Sequence, residues 1–186
     1  MNRRLLLQAF AAALLMRAGI VPAQFASKAA PTRSVDDLQR NWKTLLADNA
    51  KVATSITPIV KSDDEWRKAL DPAAYDVLRH EGTERPFSSP LNDEHRAGVF
   101  VCAGCALPLF TSAMKFDSGT GWPSYFTTIP GVFVTKTDHK LMLPRTEYHC
   151  AKCGGHHGHI FDDGPAPTGL RYCNNGVALR FIPAQV

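Results

Sequence analysis

Two cysteine pairs constrain the fold of this chain more than any other feature of its sequence. They are Cys102-Ala-Gly-Cys105 and Cys150-Ala-Lys-Cys153, separated by 44 residues. Two thiolates at this spacing sit on one tight turn and can bind the same metal ion, and a second such turn completes a tetrahedral shell of four sulfur atoms. Such a shell excludes water, so the spacing predicts one structural zinc ion. Two disulfides or one redox-active dithiol are the alternatives, because an oxidising compartment would permit them.

The fifth cysteine has no partner pair. Cys173 lies in the segment Arg171-Tyr172-Cys173-Asn174-Asn175, at the end of a short strand pattern. A thiol becomes nucleophilic when positive charge or hydrogen-bond donors lower its pKa, and Arg171, Asn175 and nearby histidines could supply both. A buried, inert cysteine that packs as a small hydrophobic residue is the alternative.

Two histidines and one tryptophan are further candidates for a reactive site. His156 and His159 follow the second cysteine pair, and they suit acid and base catalysis or additional metal ligation. Trp122 lies in the segment 118–125, where two glycines and a proline predict a rigid loop that presents an aromatic face. A tryptophan in the hydrophobic core is the alternative for that position.

Four separate motifs resemble the B-type methionine-R-sulfoxide reductases. They cover about residues 62–183 in the order typical of that family. The matching segments are His80-Glu-Gly-Thr-Glu-Arg-Pro-Phe87, Phe116-Asp-Ser-Gly-Thr-Gly-Trp-Pro-Ser124, Gly155-His-His-Gly-His-Ile-Phe-Asp-Asp-Gly-Pro165, and Arg171-Tyr-Cys-Asn-Asn175 with Leu179-Arg-Phe181.

The resemblance implies a role for each matching residue. Cys173 corresponds to the family's catalytic cysteine and Trp122 to the tryptophan that holds the substrate's methyl group. His156, His159 and Asn175 correspond to the active-site histidines and asparagine, and Arg171 is assigned to the substrate site. The implied zinc ligands are Cys102, Cys105, Cys150 and Cys153. The implied fold has two antiparallel sheets packed together, with N-terminal helices.

The chemistry of a sulfoxide agrees with these residue types. Its methyl group needs an aromatic wall, and its oxygen needs polar groups. Protonation of the oxygen by His156 or His159 makes the sulfur electrophilic, so that the Cys173 thiolate can attack it. Methionine then leaves and Cys173 becomes a sulfenic acid, the first reversible step of cysteine oxidation.

One position departs from the family pattern. Many members carry a recycling cysteine two residues before the tryptophan, where this chain has Thr120. Four cysteines are assigned to zinc and one to attack, so none remains to resolve the sulfenic acid. We therefore predict an external thiol reductant, either a thioredoxin-like protein, a glutaredoxin or glutathione.

The order of helical and strand patterns predicts an α+β fold that is mainly β. Helices are predicted to begin at the caps Ser34, Ser62 and Asp71, and the third is predicted to run through about His80, with Gly82 as the residue that terminates it. From Arg96 onward the pattern changes to short runs of β-branched residues separated by turn residues. The predicted strands are 99–102, 132–137, 146–150, 170–173 and 177–182.

The N-terminal residues indicate export. Residues 1–23 combine Arg3-Arg4, an apolar run too short to span a membrane, and small residues before a cleavage point. They predict an export signal of the twin-arginine type and a periplasmic location. Residues 24–61 are predicted to be a spacer with a helical extension, and residues 62–186 the catalytic domain. A membrane anchor is the alternative for the first segment, whereas signal cleavage would leave no stable membrane insertion.

The charge of the mature chain excludes one class of partner. The formal charge of +4 includes Arg3, Arg4 and Arg17 of the signal; without residues 1–23, 18 basic and 17 acidic residues remain, a net charge of +1. A nearly neutral protein has no electrostatic attraction to nucleic acid.

Two non-enzymatic alternatives are a zinc-ribbon binding module and a disulfide-stapled interaction protein. The favoured partners are oxidised proteins that carry methionine-R-sulfoxide and a thiol reductant, with the enzyme a monomer.

Overall fold

A computed structural model describes residues 34–140 and 143–185 of this chain. The predicted export signal, residues 1–23, and the first part of the spacer lie outside the described residues. Within the described ranges, no helix is both long and apolar enough to cross a membrane.

Three α-helices precede the strands, and their first residues explain where they begin. They are α1 Val35–Arg40, which continues as a 3-10 helix over Asn41–Leu45, α2 Asp63–Ala69 and α3 Pro72–His80. Ser34 and Ser62 each cap a helix with the side-chain oxygen, and an acidic residue three positions later completes each capping box. The three predicted helix starts are confirmed.

The predicted extent of α3, through His80, is confirmed, but Gly82 is not the residue that terminates it. The left-handed residue that terminates the helix is Glu81, with φ of 58°. A non-glycine residue is unusual there, but the Glu81 carboxylate forms ion pairs with Lys136 and Lys140. These tertiary contacts favour at Glu81 the left-handed, helix-ending conformation that we predicted for Gly82.

Two antiparallel sheets follow, so the predicted mainly-β α+β fold is confirmed. The three-stranded sheet has the order β2-β1-β9, and the six-stranded sheet has the order β3-β4-β8-β7-β6-β5. The strands are β1 Gly98–Cys102, β2 Pro108–Thr111, β3 Lys115–Phe116, β4 Ser124–Tyr125, β5 Phe133–Asp138, β6 Arg145–Cys150, β7 His156–Phe161, β8 Arg171–Asn174 and β9 Leu179–Pro183.

Aromatic side chains join the two sheets. The ring of Phe110, from β2, stacks on that of Tyr125, from β4, with 3.9 Å between centroids. Phe100, from β1, contacts Tyr125 edge-on at 5.3 Å, and all three residues are fully buried. Burial of large aromatic rings contributes much of the stability of a core this size. The six-stranded sheet is thereby anchored to the smaller one on the side where β4 borders β8.

The sequence patterns missed four strands, β2, β3, β4 and β7, of which β7 is the longest. β7 lies between β6 and β8, yet it begins with His156-His157-Gly158-His159, which has no alternation of apolar and polar residues. Pairing on both edges makes this segment a strand. The predicted strand 177–182 also begins later, at Leu179, because Gly176–Ala178 form a 3-10 helix.

Candidate active site

Cys173 opens into a cavity of about 140 Å³. The cavity also contains three of the other predicted site residues: His159, Trp122 and Asn175. His156 is not in its lining. The complete lining is Thr83, Trp122, Arg145, Gly158, His159, Phe161, Cys173, Asn174 and Asn175.

Strand pairing places the two reactive side chains opposite each other. In the antiparallel register of β7 and β8, His159 faces Cys173 directly, and directly opposed side chains have β-carbons about 5 Å apart. The neighbouring position, Gly158, permits this pairing, since a Cβ there would lie 1.9 Å from the carbonyl oxygen of Cys173. A glycine at 158 is therefore a requirement of the site itself.

The ring of Trp122 is fixed by a hydrogen bond to the segment before the sheets. Its indole N–H donates to the carbonyl oxygen of Glu84 at 3.1 Å. The Glu84 carboxylate in turn accepts the backbone N–H groups of Gly176 and Val177. Glu84 therefore links the aromatic wall of the cavity to the chain immediately after Cys173.

Asn175 is held by the backbone on both ends of its amide. Its Oδ1 accepts the N–H of Glu84 at 3.0 Å, and its Nδ2 donates to the carbonyl oxygen of His157 at 3.0 Å. Asn175 is 4% exposed. These two hydrogen bonds hold the Asn175 amide in place. Asn175 also lines the cavity, so the bonds fix that part of the cavity wall.

Opposing influences act on the Cys173 thiol. Burial raises its pKa above the ordinary value, whereas the Arg171 guanidinium and the Thr120 hydroxyl lower it. The raised pKa leaves the thiol as the resting form at neutral pH. Arg171 does not act as a free charge, because it makes two hydrogen bonds to Asp163, at 2.7 and 2.9 Å.

Asp138 orients the His159 imidazole. Its Oδ2 lies 2.8 Å from His159 Nε2 and 2.6 Å from an Arg145 guanidinium nitrogen. The backbone N–H of Lys140, His159 and Arg145 hold the pKa of Asp138 well below its usual range. An ionised carboxylate only accepts hydrogen bonds, so Nε2 of His159 carries the proton and Nδ1 is the free ring nitrogen.

Burial makes the imidazole of His159 neutral at rest. It lowers the pKa of His159, and the hydrogen bond with Asp138 opposes that shift only partly. The resting pair is therefore a neutral His159 beside a protonated Cys173.

His156 lies behind this cavity. It is 1% exposed, its Nδ1 lies beside the Glu147 carboxylate, and its ring packs 5.6 Å from the His159 ring between centroids. Burial lowers the pKa of His156 to about 4. The structure thus separates the two histidines: His159 borders the cavity, and His156 supports it from within the sheet.

The four remaining cysteines come together at the junction of the two sheets. Cys102 ends β1 in the smaller sheet and Cys150 ends β6 in the larger one. Sγ of Cys102 lies 3.6 Å from Sγ of Cys153, Sγ of Cys105 lies 3.5 Å from Sγ of Cys150, and all four lie within 4.8 Å of one another. A disulfide would require about 2.05 Å between sulfur atoms. The four thiols could hold a metal ion, because a tetrahedron with metal–sulfur bonds of about 2.3 Å has edges of about 3.8 Å.

Comparison with known proteins decides the family. Residues 70–183 match the SelR domain. The chain is 51% identical over 138 residues to the peptide methionine sulfoxide reductase MsrB of Bradyrhizobium diazoefficiens, covering 73% of this chain and 98% of that protein. It is 52% identical over 124 residues to the Agrobacterium fabrum MsrB (66% and 92%), and 51% identical over 124 residues to that of Methanosarcina barkeri (66% and 87%).

The chain belongs to the B-type methionine sulfoxide reductase family. The resemblance inferred from the four sequence motifs is confirmed. The SelR match begins at residue 70, at the end of α2, and extends into β9. It includes both cysteine pairs, Trp122 and Cys173.

Several residues of this reductase site were not found from the sequence. Asp138 and Glu147 are partners of the histidines, Arg145 pairs with Asp138, and Glu84 fixes Trp122. Glu147 lies on a predicted strand, but its approach to His156 depends on pairing with β7, which the sequence patterns did not predict. Asp138 and Glu84 gave no comparable signal, since they meet His159 and Trp122 only through tertiary folding.

Proposed function

We propose that this methionine sulfoxide reductase acts on the R epimer of methionine sulfoxide in proteins, with Cys173 as nucleophile. The supporting observation is the cavity that joins the thiol of Cys173, the imidazole of His159 and the indole of Trp122. An aromatic wall accommodates the substrate's S-methyl group, and the opposite polar side faces its oxygen. The relatives' names support reduction of sulfoxides on peptides.

The proposed reaction needs no proton from solvent. The Cys173 thiol passes its proton to Nδ1 of His159, and the resulting imidazolium, stabilised by Asp138, donates it to the sulfoxide oxygen. The Cys173 sulfur attacks the substrate sulfur, and the oxygen transfers to cysteine as methionine leaves. The cysteine sulfur loses two electrons and the substrate sulfur gains them, so the products are a sulfenic acid and a thioether. Arg171 favours the transient thiolate through its positive charge.

The first test separates the two epimers of the substrate. The sulfoxide sulfur is chiral, and a fixed methyl wall at Trp122 presents its oxygen to His159 in only one epimer. With dithiothreitol as reductant, we expect blocked methionine-R-sulfoxide to be reduced and the S epimer to react at least about 100-fold more slowly. Chiral chromatography of the remaining sulfoxide measures both rates. Equal rates would contradict the proposed orientation of the substrate.

We also propose that the four-cysteine cluster holds one structural zinc ion. Four thiolates packed this closely would repel one another strongly without a cation, and thiolate ligands in a closed tetrahedron favour zinc. The residues that would hold the ion are Cys102, Cys105, Cys150 and Cys153. When bound, zinc would supply a crosslink between the two sheets and no part of the reaction.

The reductant in this proposal is an external thiol. The Thr120 hydroxyl lowers the pKa of the Cys173 thiol, and a cysteine at this position would be suited to resolve the sulfenic acid. The chain has only five cysteines, and four belong to the metal cluster. A thioredoxin-like protein, a glutaredoxin or glutathione would therefore reduce oxidised Cys173 directly.

The substitution Thr120→Cys tests that assignment. After one turnover without reductant, the unsubstituted protein should retain a sulfenic acid on Cys173 that dimedone traps. Thr120→Cys should instead lose two hydrogens to an intramolecular disulfide and give no dimedone adduct. Mass spectrometry distinguishes these products, with Thr128→Cys as the control, because the Thr128 hydroxyl donates to the carbonyl oxygen of Ile129 and is not among the groups that act on the Cys173 thiol. A disulfide in the unsubstituted protein would overturn the external-thiol proposal.

Export to the periplasm remains part of the proposal. It is supported by the Arg3-Arg4 pair and the short apolar run of residues 1–23. The substrates would then be oxidised periplasmic proteins, and the enzyme would act as a monomer. Fractionation of cells that express the full chain tests this location, and an enzyme confined to the cytoplasm would contradict it.

A further inference from the structure

A second cavity meets the active-site cavity at Trp122. It also measures about 140 Å³, and Trp122 lines both. Its remaining wall includes Phe87, Phe116, Asp93, Lys115 and Asp117. Neither the reaction chemistry nor the metal cluster uses these residues. A protein substrate would place its sulfoxide against Trp122. If its chain continues toward the second cavity, the residues next to the methionine sulfoxide lie beside that cavity.

Phe87 is held at the rim of the second cavity in an unusual conformation. Its φ is 61°, in the left-handed region, and its side chain is 73% exposed. Bulky residues rarely adopt this conformation, and such outliers concentrate at binding and catalytic sites. An exposed aromatic ring on a strained backbone is not explained by packing in the core.

The contacts of Phe87 fix it next to Trp122. Its N–H donates to the carbonyl oxygen of Gly121 at 2.7 Å, and the Asn92 side-chain amide donates to the same oxygen at 2.9 Å. Gly121 allows the approach, because a Cβ there would lie 2.8 Å from the Phe87 ring. Phe87 is thereby hydrogen-bonded through its backbone to Gly121, the residue that immediately precedes Trp122, and its ring packs against Gly121.

The charges of the second cavity favour a cation. Asp93 and Asp117 present two exposed carboxylates. The Lys115 ammonium offsets one of them, and it is engaged in a hydrogen bond to the carbonyl oxygen of Asn92 at 2.6 Å. Two carboxylates and one ammonium leave one net negative charge beside the rings of Phe87, Phe116 and Trp122. Aromatic faces beside a carboxylate suit an ammonium or guanidinium group.

We propose that this cavity, which we call the flanking subsite, binds a lysine or arginine side chain of the protein substrate, one or two positions from the methionine sulfoxide. An extended chain advances about 3.3 Å per residue, so a neighbouring side chain reaches a cavity that shares Trp122 with the active site. This inference rests on the proposed function. It adds a preference for oxidised methionines in basic sequence contexts.

Short peptides that differ at one flanking position test the preference. A blocked pentapeptide with central methionine-R-sulfoxide would carry arginine, glutamine or glutamate in turn at each position within two residues. At one position or more, kcat/KM with dithiothreitol should be about 3- to 10-fold higher for arginine than for glutamate. The preference should shrink as salt is raised. Equal kcat/KM values at every position would overturn the flanking subsite.

Two substitutions locate the preference within the molecule. Phe87→Ala and Asp117→Asn should each bring the arginine-to-glutamate ratio toward one while leaving reduction of blocked single methionine-R-sulfoxide unchanged. Asp64→Asn, which makes the same chemical change on the exposed face of α2, should keep the ratio of the unsubstituted protein. An unchanged ratio in both subsite variants, or a loss in Asp64→Asn, would overturn the assignment. Failure to reduce the blocked amino acid would instead contradict the proposed function itself.

Discussion

Replacing Cys173 by serine should abolish sulfoxide reduction and leave the fold intact. A serine hydroxyl is a far weaker nucleophile than a thiol, and it cannot accept the oxygen as a sulfenic acid. Loss of a catalytic nucleophile commonly lowers kcat by a factor of about 10⁴ or more. Reduction of blocked methionine-R-sulfoxide in dithiothreitol measures the loss, and thermal unfolding with metal analysis checks that the protein is otherwise unchanged.

The substitution Asp138→Asn provides a graded comparison for Cys173→Ser. It keeps the shape of the carboxylate but can turn an amide N–H toward Nε2 of His159, which favours the wrong tautomer. We expect an intermediate loss of about 10- to 100-fold, since removal of an orienting partner costs less than removal of the nucleophile. Substantial activity in Cys173→Ser would exclude Cys173 as nucleophile. Full activity in Asp138→Asn would exclude the proposed role of His159 as proton carrier.

Replacing Cys105 by serine should remove the metal and destabilise the whole domain. The cluster lies where the end of β1 meets the end of β6, so the proposed zinc ion would crosslink the two sheets in addition to their aromatic core. Metal-binding free energy contributes directly to folding in such sites. We expect the free energy of unfolding to fall by more than about 4 kcal/mol, a large share of the ~5–15 kcal/mol typical of a domain.

Zinc content and denaturant unfolding of the purified protein measure this effect. Cys173→Ser is the matched control, because it also replaces one thiol by a hydroxyl but lies outside the cluster. It should retain one zinc per chain and the unsubstituted stability. If Cys105→Ser kept that stability, the structural-zinc proposal would be wrong, and detection of two disulfides in the unsubstituted protein would favour the alternative interpretation of the cysteine pairs.

Much of the reactive half of the site was accessible from the sequence because it depends on local patterns. The unpaired thiol at Cys173 followed from the grouping of the other four cysteines. The helix starts at Ser34 and Ser62 followed from capping residues, which act through hydrogen bonds within three positions along the chain. His159 and Trp122 were predicted as site residues from family motifs, and the structure places both in the Cys173 cavity.

Features that depend on strand pairing were not accessible in the same way. The sequence offered His156 and His159 as equivalent candidates. Only the register of β7 puts His159 opposite Cys173, whereas His156 lies opposite His149, with its side chain beside Glu147. The strand character of β7 was missed for the same reason, since its hydrogen bonds come from β6 and β8. The end of α3 at Glu81 likewise depends on lysines more than fifty residues away.

The sequence by itself determined the kinds of groups this protein possesses: four thiols spaced for a metal ion, a separate thiol, two histidines, and a threonine where a recycling cysteine would stand. Residue type and short spacings decide these properties. Only the tertiary structure decided which groups meet: Asp138 with His159, Glu84 with Trp122, and Phe87 beside a second cavity. Those contacts join residues distant in the chain. Asp138 and His159 meet because β5 and β7 flank β6 in one sheet, and the segment before the strands brings Glu84 to Trp122 and Phe87 to Gly121.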